Sequence, residues 1–358
     1  DIIRGGDGND TIEGNFGNDS LYGDAGNDTI TDNQGANLFD GGLGNDTLTT
    51  RSLSGNNTLI GGAGNDTINA TGLILSLDGG EGDDNLNLDG SLIAGGSSSY
   101  VQGGNAVLNG GAGRDRLEAY NYSTAELRGG TDNDNIYASG VRDSRLYGDA
   151  GDDSVRAWVS QYSSFNIDGN RSVVNSALVD GGDGNDSLSI NGYSYLYDGR
   201  VTASASGGLG DDTISITDSG SSAESGYATV TVDGGAGNDS ITVAGSFSTT
   251  ITTGSGRDTI VFTAPQYRKL LVGAQLLSNP DGTTTAITPE PFSVTDFSTG
   301  SGGDVIDYGD LLRNASSTYN GSNPFATGYL ALRQSGTDTL LSFDPVSYTH
   351  LRAHETVL

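Results

Sequence analysis

The sequence predicts an all-β chain: a right-handed parallel β-helix solenoid closed by a C-terminal β-rich cap. Three observations predict it. A nine-residue unit recurs from Gly5, its first six positions are dominated by Gly, Asn and Asp, and its eighth position is apolar. Self-similarity at a fixed period is the mark of a repeat architecture, in which each unit packs only on its neighbours.

The repeats come first in the argument. Five contiguous nonapeptides run from Gly5 to Thr49: GGDGNDTIE, GNFGNDSLY, GDAGNDTIT, DNQGANLFD and GGLGNDTLT. Strong copies recur as GGAGNDTIN from Gly61, GGEGDDNLN from Gly79, GGAGRDRLE from Gly110, GGTDNDNIY from Gly129, GDAGDDSVR from Gly148 and GGDGNDSLS from Gly181. GGLGDDTIS from Gly207, GGAGNDSIT from Gly234 and the degenerate TGSGRDTIV from Thr253 complete the series. From Gly5 through Gly79 the strong copies stand 18 to 20 residues apart, so two nonapeptides make one coil. Between them a decayed copy keeps only its apolar eighth residue: Leu59, Leu77, Leu108, Leu127, Leu146, Val179, Val232 and Ile251.

Each half of the unit has a physical reading. Gly, Asn and Asp tolerate positive φ and close tight turns, so the first six residues form a turn. The last three, such as Thr11-Ile12-Glu13, alternate polar, apolar, polar, as a half-buried strand does. Coils then stack about 4.8 Å apart. Strong motifs at whole-coil spacing fall on one edge of the solenoid and decayed motifs on the other. Longer steps, such as the 33 residues from Gly148 to Gly181, leave room for side excursions. Those segments hold Trp158, Tyr162, Phe165, Tyr193, Tyr195, Tyr197 and Tyr227, read as amphipathic cover for the flank in preference to a ligand platform.

Residues 1–261 therefore form the solenoid and residues 262–345 the cap. The cap holds all six prolines and a short helix around Asp310 to Arg313. Residues 346–358, VSYTHLRAHETVL, share no composition with the rest and resemble a translated sequencing adapter of the kind found in metagenomic assemblies. The chain opens inside a repeat and reads as a fragment of a longer protein.

Composition narrows the chemistry. The net charge of -30 comes mostly from Asp, 39 against seven Glu, and Asp belongs to turns and metal sites rather than to helical surfaces. Lys269 is the sole lysine, which sets nucleic acid aside as a partner. No apolar run is long enough to span a bilayer. There is no Cys, and both histidines lie in the C-terminal tail, so zinc sites of the usual kind and His-based catalysis have no residues to work with. No enzyme is expected within this chain.

The unit matches the pattern G-G-x-G-x-D-x-U-x and so resembles the RTX, or hemolysin-type, calcium-binding repeat. The resemblance implies a calcium-binding parallel β-roll. Sixth-position carboxylates of successive turns, with loop carbonyls, would clamp each ion. Carried onto this chain, the ligands are Asp10, Asp28, Asp46, Asp66, Asp84, Asp115, Asp134, Asp153, Asp186, Asp212, Asp239 and Asp258. Asp19 would join Asn37 on the opposite edge near the N-terminus. The pattern is departed from at Asp132 (fourth Gly), Thr253 (first Gly) and Asn37 (uncharged sixth residue). Electrostatics supports the assignment independently. Two carboxylates about 5 Å apart repel by about 3 kcal/mol at an effective dielectric near 20, so a cation must sit among them.

Residues 294–312, VTDFSTGSGGDVIDYGDLL, resemble the C-terminal region of RTX proteins exported by type I secretion, through Asp296, Phe297, Asp304, Asp307, Leu311 and Leu312. The implied role is a secreted, extracellular or cell-surface module that folds on meeting calcium outside the cell. Its partners would be calcium, the type I secretion machinery, and glycans or other ligands at a host or cell surface. The favoured parent is a large adhesin-like protein. The alternative is the export and stabilising tail of a secreted protease or lipase, and a weaker one is a carbohydrate- or ice-binding solenoid.

Overall fold

A computed structural model of the chain describes residues 1–51, 55–72, 74–90, 103–160, 174–193, 200–218, 228–244, 247–263, 275–278, 284–287, 292–315, 321, 323–326, 330–335 and 338–343. The fold is a parallel β-roll of two sheets with 13 strands each. Successive strands alternate between sheets. Ile2–Asp7, Ser20–Ala25 and Leu38–Leu43 open the first sheet, and Thr11–Glu13, Thr29–Asp32 and Thr47–Thr50 open the second. Each pairs in parallel with the strand one coil later, in a register that matches repeat position to repeat position: Ile12 to Ile30, Ile30 to Leu48, Leu48 to Ile68.

Register places the core. In the second sheet Ile30, Leu48, Ile68, Leu86, Leu117, Ile136 and Val155 stack fully buried. The first sheet stacks Leu21, Phe39, Leu59, Leu77, Leu108, Leu127, Leu146, Val179, Val232 and Ile251 against them. The eighth-position residues of the decayed copies are thus core, as the periodicity predicts.

The two edges differ in kind. Connections from the first sheet to the second are three residues long through eleven coils, from 8–10 to 237–239, and carry the strong motifs. We call this the turn edge. Connections in the other direction, up to strand Phe247–Thr252, range from one residue, Asn121, to thirteen, at 90–102 and 161–173. Through these eleven coils, variation in coil length therefore enters on this return edge. Trp158 does not belong to an excursion: it lies in strand Ser154–Ser160 of the second sheet. Tyr162, Phe165, Tyr195, Tyr197 and Tyr227, the side chain of Tyr193, and the tail 346–358 lie outside the described residues.

The roll also extends past Val261, where sequence reading ended it. Strand Phe292–Val294 pairs with the first sheet and Val305–Asp307 with the second, adding one more coil. The sequence carries the signal, since TGSGGDVID from Thr299 repeats TGSGRDTIV from Thr253, but the 37 residues between Val261 and Thr299 hide the period. A helix, Gly309–Ala315, and an antiparallel pair, Leu330–Ser335 with Asp338–Phe343, follow.

Candidate metal centres

Each turn-edge glycine answers a separate demand. In Gly41-Gly42-Leu43-Gly44-Asn45-Asp46 the second and fourth positions have φ of 102° and 119°, the left-handed region open to Gly. Asn and Asp tolerate it next best, which is why Asp24, Asp132 and Asp149 stand in such positions at φ of 71°, 75° and 72°. The departure at Asp132 therefore keeps the turn. The first position is Gly for lack of room. A Cβ on the first glycines from Gly5 to Gly234 would meet the sixth-position Oδ2 at 2.1–2.6 Å and the next coil's first carbonyl at 2.2–2.8 Å.

The sixth-position carboxylates form a continuous column. Each uses Oδ1 to accept the backbone N–H of the equivalent residue one coil earlier, from Asp10 N to Asp28 through Asp239 N to Asp258, at 2.7–2.9 Å. The other oxygen, Oδ2, is buried and accepts no hydrogen bond in Asp10, Asp28, Asp46, Asp66, Asp84, Asp115, Asp134, Asp153, Asp186, Asp212, Asp239 and Asp258. All the turn-edge residues named from sequence thus fall in one column.

Burial dominates their electrostatics. It pushes the carboxyls of Asp66, Asp115, Asp153, Asp186 and Asp258 up to about 6, those of Asp84 and Asp212 to about 7, and that of Asp134 to about 8. Asp46 and Asp239 move the same way. The accepted N–H opposes the shift, and neighbouring carboxylates add to it, as Asp115 and Asp66 do at Asp84.

On the return edge the ladder runs from Asp19 N to Asn37 Oδ1 and from Asn37 N to Asn57 Oδ1, both at 2.8 Å. Asn preserves the hydrogen bond and lacks the charge. Asp19 keeps a buried orphan Oδ2, and so does Asp32, which sequence reading passed over because it occupies a glycine's first position. A Cβ on Gly14 would meet Asp32 Oδ2 at 2.4 Å and Asp19 Oδ2 at 3.0 Å, so a carboxylate stands there in place of a carbonyl.

Two further features go beyond the ligand set expected from sequence. Fifth-position side chains form a second, exposed ladder of opposite sense: Asn9 Oδ1 accepts from Asn27 N, Asn27 Oδ1 from Asn45 N, and Asn45 Oδ1 from Asn65 N, at 2.8–2.9 Å. Asp304 continues the column, accepting from Asp258 N at 3.1 Å. Its Oδ2, unlike the others, is satisfied by Ser298 N–H at 2.6 Å and the Thr253 hydroxyl at 3.2 Å. The Thr253 departure thus supplies a donor to the last coil.

The donor set is chemically uniform: buried, unpaired carboxylate oxygens facing main-chain carbonyls, with no sulfur. Such oxygens suit a hard cation with flexible six- to eight-fold coordination, the habit of calcium. Among the described residues no three His, Cys, Asp or Glu side chains gather in one cluster, so the carboxylates alone do not make up a six- to eight-fold shell.

Fold and site together define a calcium-binding parallel β-roll. The family model described as RTX calcium-binding nonapeptide repeat (4 copies) matches residues 1–30, 13–48, 52–72, 100–121 and 231–245. The chain thus carries repeats of the RTX type, which bind calcium at multiple sites. No curated protein matches it. No described helix is long and apolar enough to cross a membrane.

Proposed function

We propose that the chain is a calcium-gated folding and spacer module of a secreted, adhesin-like protein, with calcium held by Asp10, Asp28, Asp46, Asp66, Asp84, Asp115, Asp134, Asp153, Asp186, Asp212, Asp239 and Asp258. Asp19, with Asp32 beside it, serves one site on the return edge. Calcium, when bound, supplies the positive charge that lets these carboxylates remain ionised while buried. The protein's residues do the rest: the Oδ1 ladder fixes each carboxylate, and the first glycine leaves its cradle open.

The observation that carries the reading is the row of orphaned Oδ2 atoms. A buried carboxylate without a partner is costly, so the column opposes folding until a cation arrives. Ligands that bind only the folded state stabilise it by mass action. Sites of extracellular modules load at about 10⁻⁴ to 10⁻³ M calcium, well above cytosolic levels. The chain would then stay extended inside the cell, suited to type I export, and fold outside. The near-invariant turn edge and a roll of 13 coils suit a spacer. Limited proteolysis tests this: the chain is digested at cytosolic calcium and protected in the millimolar range. Equal protection in both would overturn it.

A further inference from the structure

We propose that the outer face of the second sheet, across strands Arg116–Tyr120, Asn135–Ser139 and Ser154–Ser160, binds an anionic saccharide. This goes beyond the calcium function and rests on it only because the face exists in the folded roll.

Parallel register builds the face as a grid of three ranks. Arg116, Asn135 and Ser154 form one, Glu118, Tyr137 and Arg156 the next, and Tyr120, Ser139 and Trp158 the third. Between these ranks Leu117, Ile136 and Val155, and then Ala119, Ala138 and Ala157, point into the core, so the grid residues point outward. Three aromatic rings therefore surround Ser139. Tyr120 and Tyr137 meet edge to face with centroids 5.7 Å apart, and Trp158 is 39% exposed. Tyr120 and Trp158 share a rank two coils apart, about 9.6 Å, which spans more than one sugar ring. Elsewhere the second sheet's outer positions are mostly Thr, Ser and Asn, as at Thr29, Thr47, Ser187 and Thr213. Rings with an apolar face and a polar rim, set in a hydroxyl- and amide-bearing field, suit the alternating C–H and O–H surface of a pyranose.

Charge selects the class of saccharide. The grid carries two arginines, Arg116 and Arg156, against one acidic residue, Glu118, in a chain of net charge -30. Within the grid, Glu118 is committed to Arg116 and to the Asn87 amide, the latter at 3.2 Å. Arg156 is exposed and has no carboxylate partner among the described residues. It adjoins Tyr137 along its rank and Trp158 along its strand. A guanidinium so placed would pair with a carboxylate or sulfate of a sugar stacked on those rings.

Trp158 is the only tryptophan, so its fluorescence reports on this face alone. With the full chain saturated in calcium, titration with a hyaluronan oligosaccharide is expected to give a saturable change in Trp158 emission. Arg156→Gln should weaken it about tenfold, the loss of one charge-assisted pair. Tyr137→Ala should weaken it while Trp158 still reports. A neutral chito-oligosaccharide of equal length should bind the parent chain more weakly, and as weakly as it binds the Arg156 variant. Circular dichroism on the same samples separates loss of the roll from loss of binding. No saturable change with folded protein, an Arg156→Gln variant that binds unaltered, or equal binding of poly-glutamate would each overturn the proposal.

Discussion

At the scale of the residue, each column aspartate has two oxygens with different duties, and Asn separates them. Asn37 and Asn57 show that the amide keeps the ladder bond without the charge. Asp134→Asn should therefore lose calcium binding at its coil yet keep the Asp115 N–H acceptor, whereas Asp134→Ala also strands that N–H and costs about 1–3 kcal/mol more. Calcium titration of both variants with thermal unfolding checks this. Gly129→Ala removes no charge but places a methyl 2.1 Å from Asp134 Oδ2 and 2.7 Å from the Gly148 carbonyl, so equilibrium dialysis should count fewer bound ions. The raised carboxyls fix a pH dependence. Their metal-free folded values, about 6 to 8, lie above the ordinary value of 3.8, so the metal-free roll is most stable in acid and loses that stability as pH rises through this window. Protons and calcium compete for the same oxygens, and the calcium midpoint should rise as pH is lowered from 8 to 5. The sixth-position aspartates were legible because residue type and spacing repeat together. Asp32 was not, because it breaks the repeat at its own position.

At the scale of the element, the turn edge and the return edge should respond oppositely to the same insertion. Two glycines inserted after Gly64 displace Asp66 from the column and break the Asp46–Asp66 ladder bond. The same insertion in the connection 51–55 enters an edge where lengths already vary, and should shift the melting temperature far less. In the core, Leu127→Ala should cost about 2–5 kcal/mol, since Leu127 is fully buried between Leu108 and Leu146. Strand positions were readable from the apolar eighth residue even where the turn had decayed. The coil of Phe292–Val294 and Val305–Asp307 was not, because a long connection separates it from the preceding period. Nor could the pattern place Trp158, whose outward position follows from strand register and not from composition.

At the scale of the whole molecule, two thin sheets enclose a narrow core, and a line of carboxylates runs the length of one edge. The apolar interior is one or two side chains wide, so the roll cannot outweigh the burial of unpaired charge by packing alone. In the proposed function, folding and metal loading are one equilibrium, as in other small-cored metal-dependent folds. The direct measurement is far-ultraviolet circular dichroism of the full chain through a calcium titration. A disordered spectrum in excess chelator, converting to a β-rich one as calcium reaches the millimolar range and reverting on chelation, is the result expected. A β-rich spectrum in chelator that calcium leaves unchanged would contradict the account.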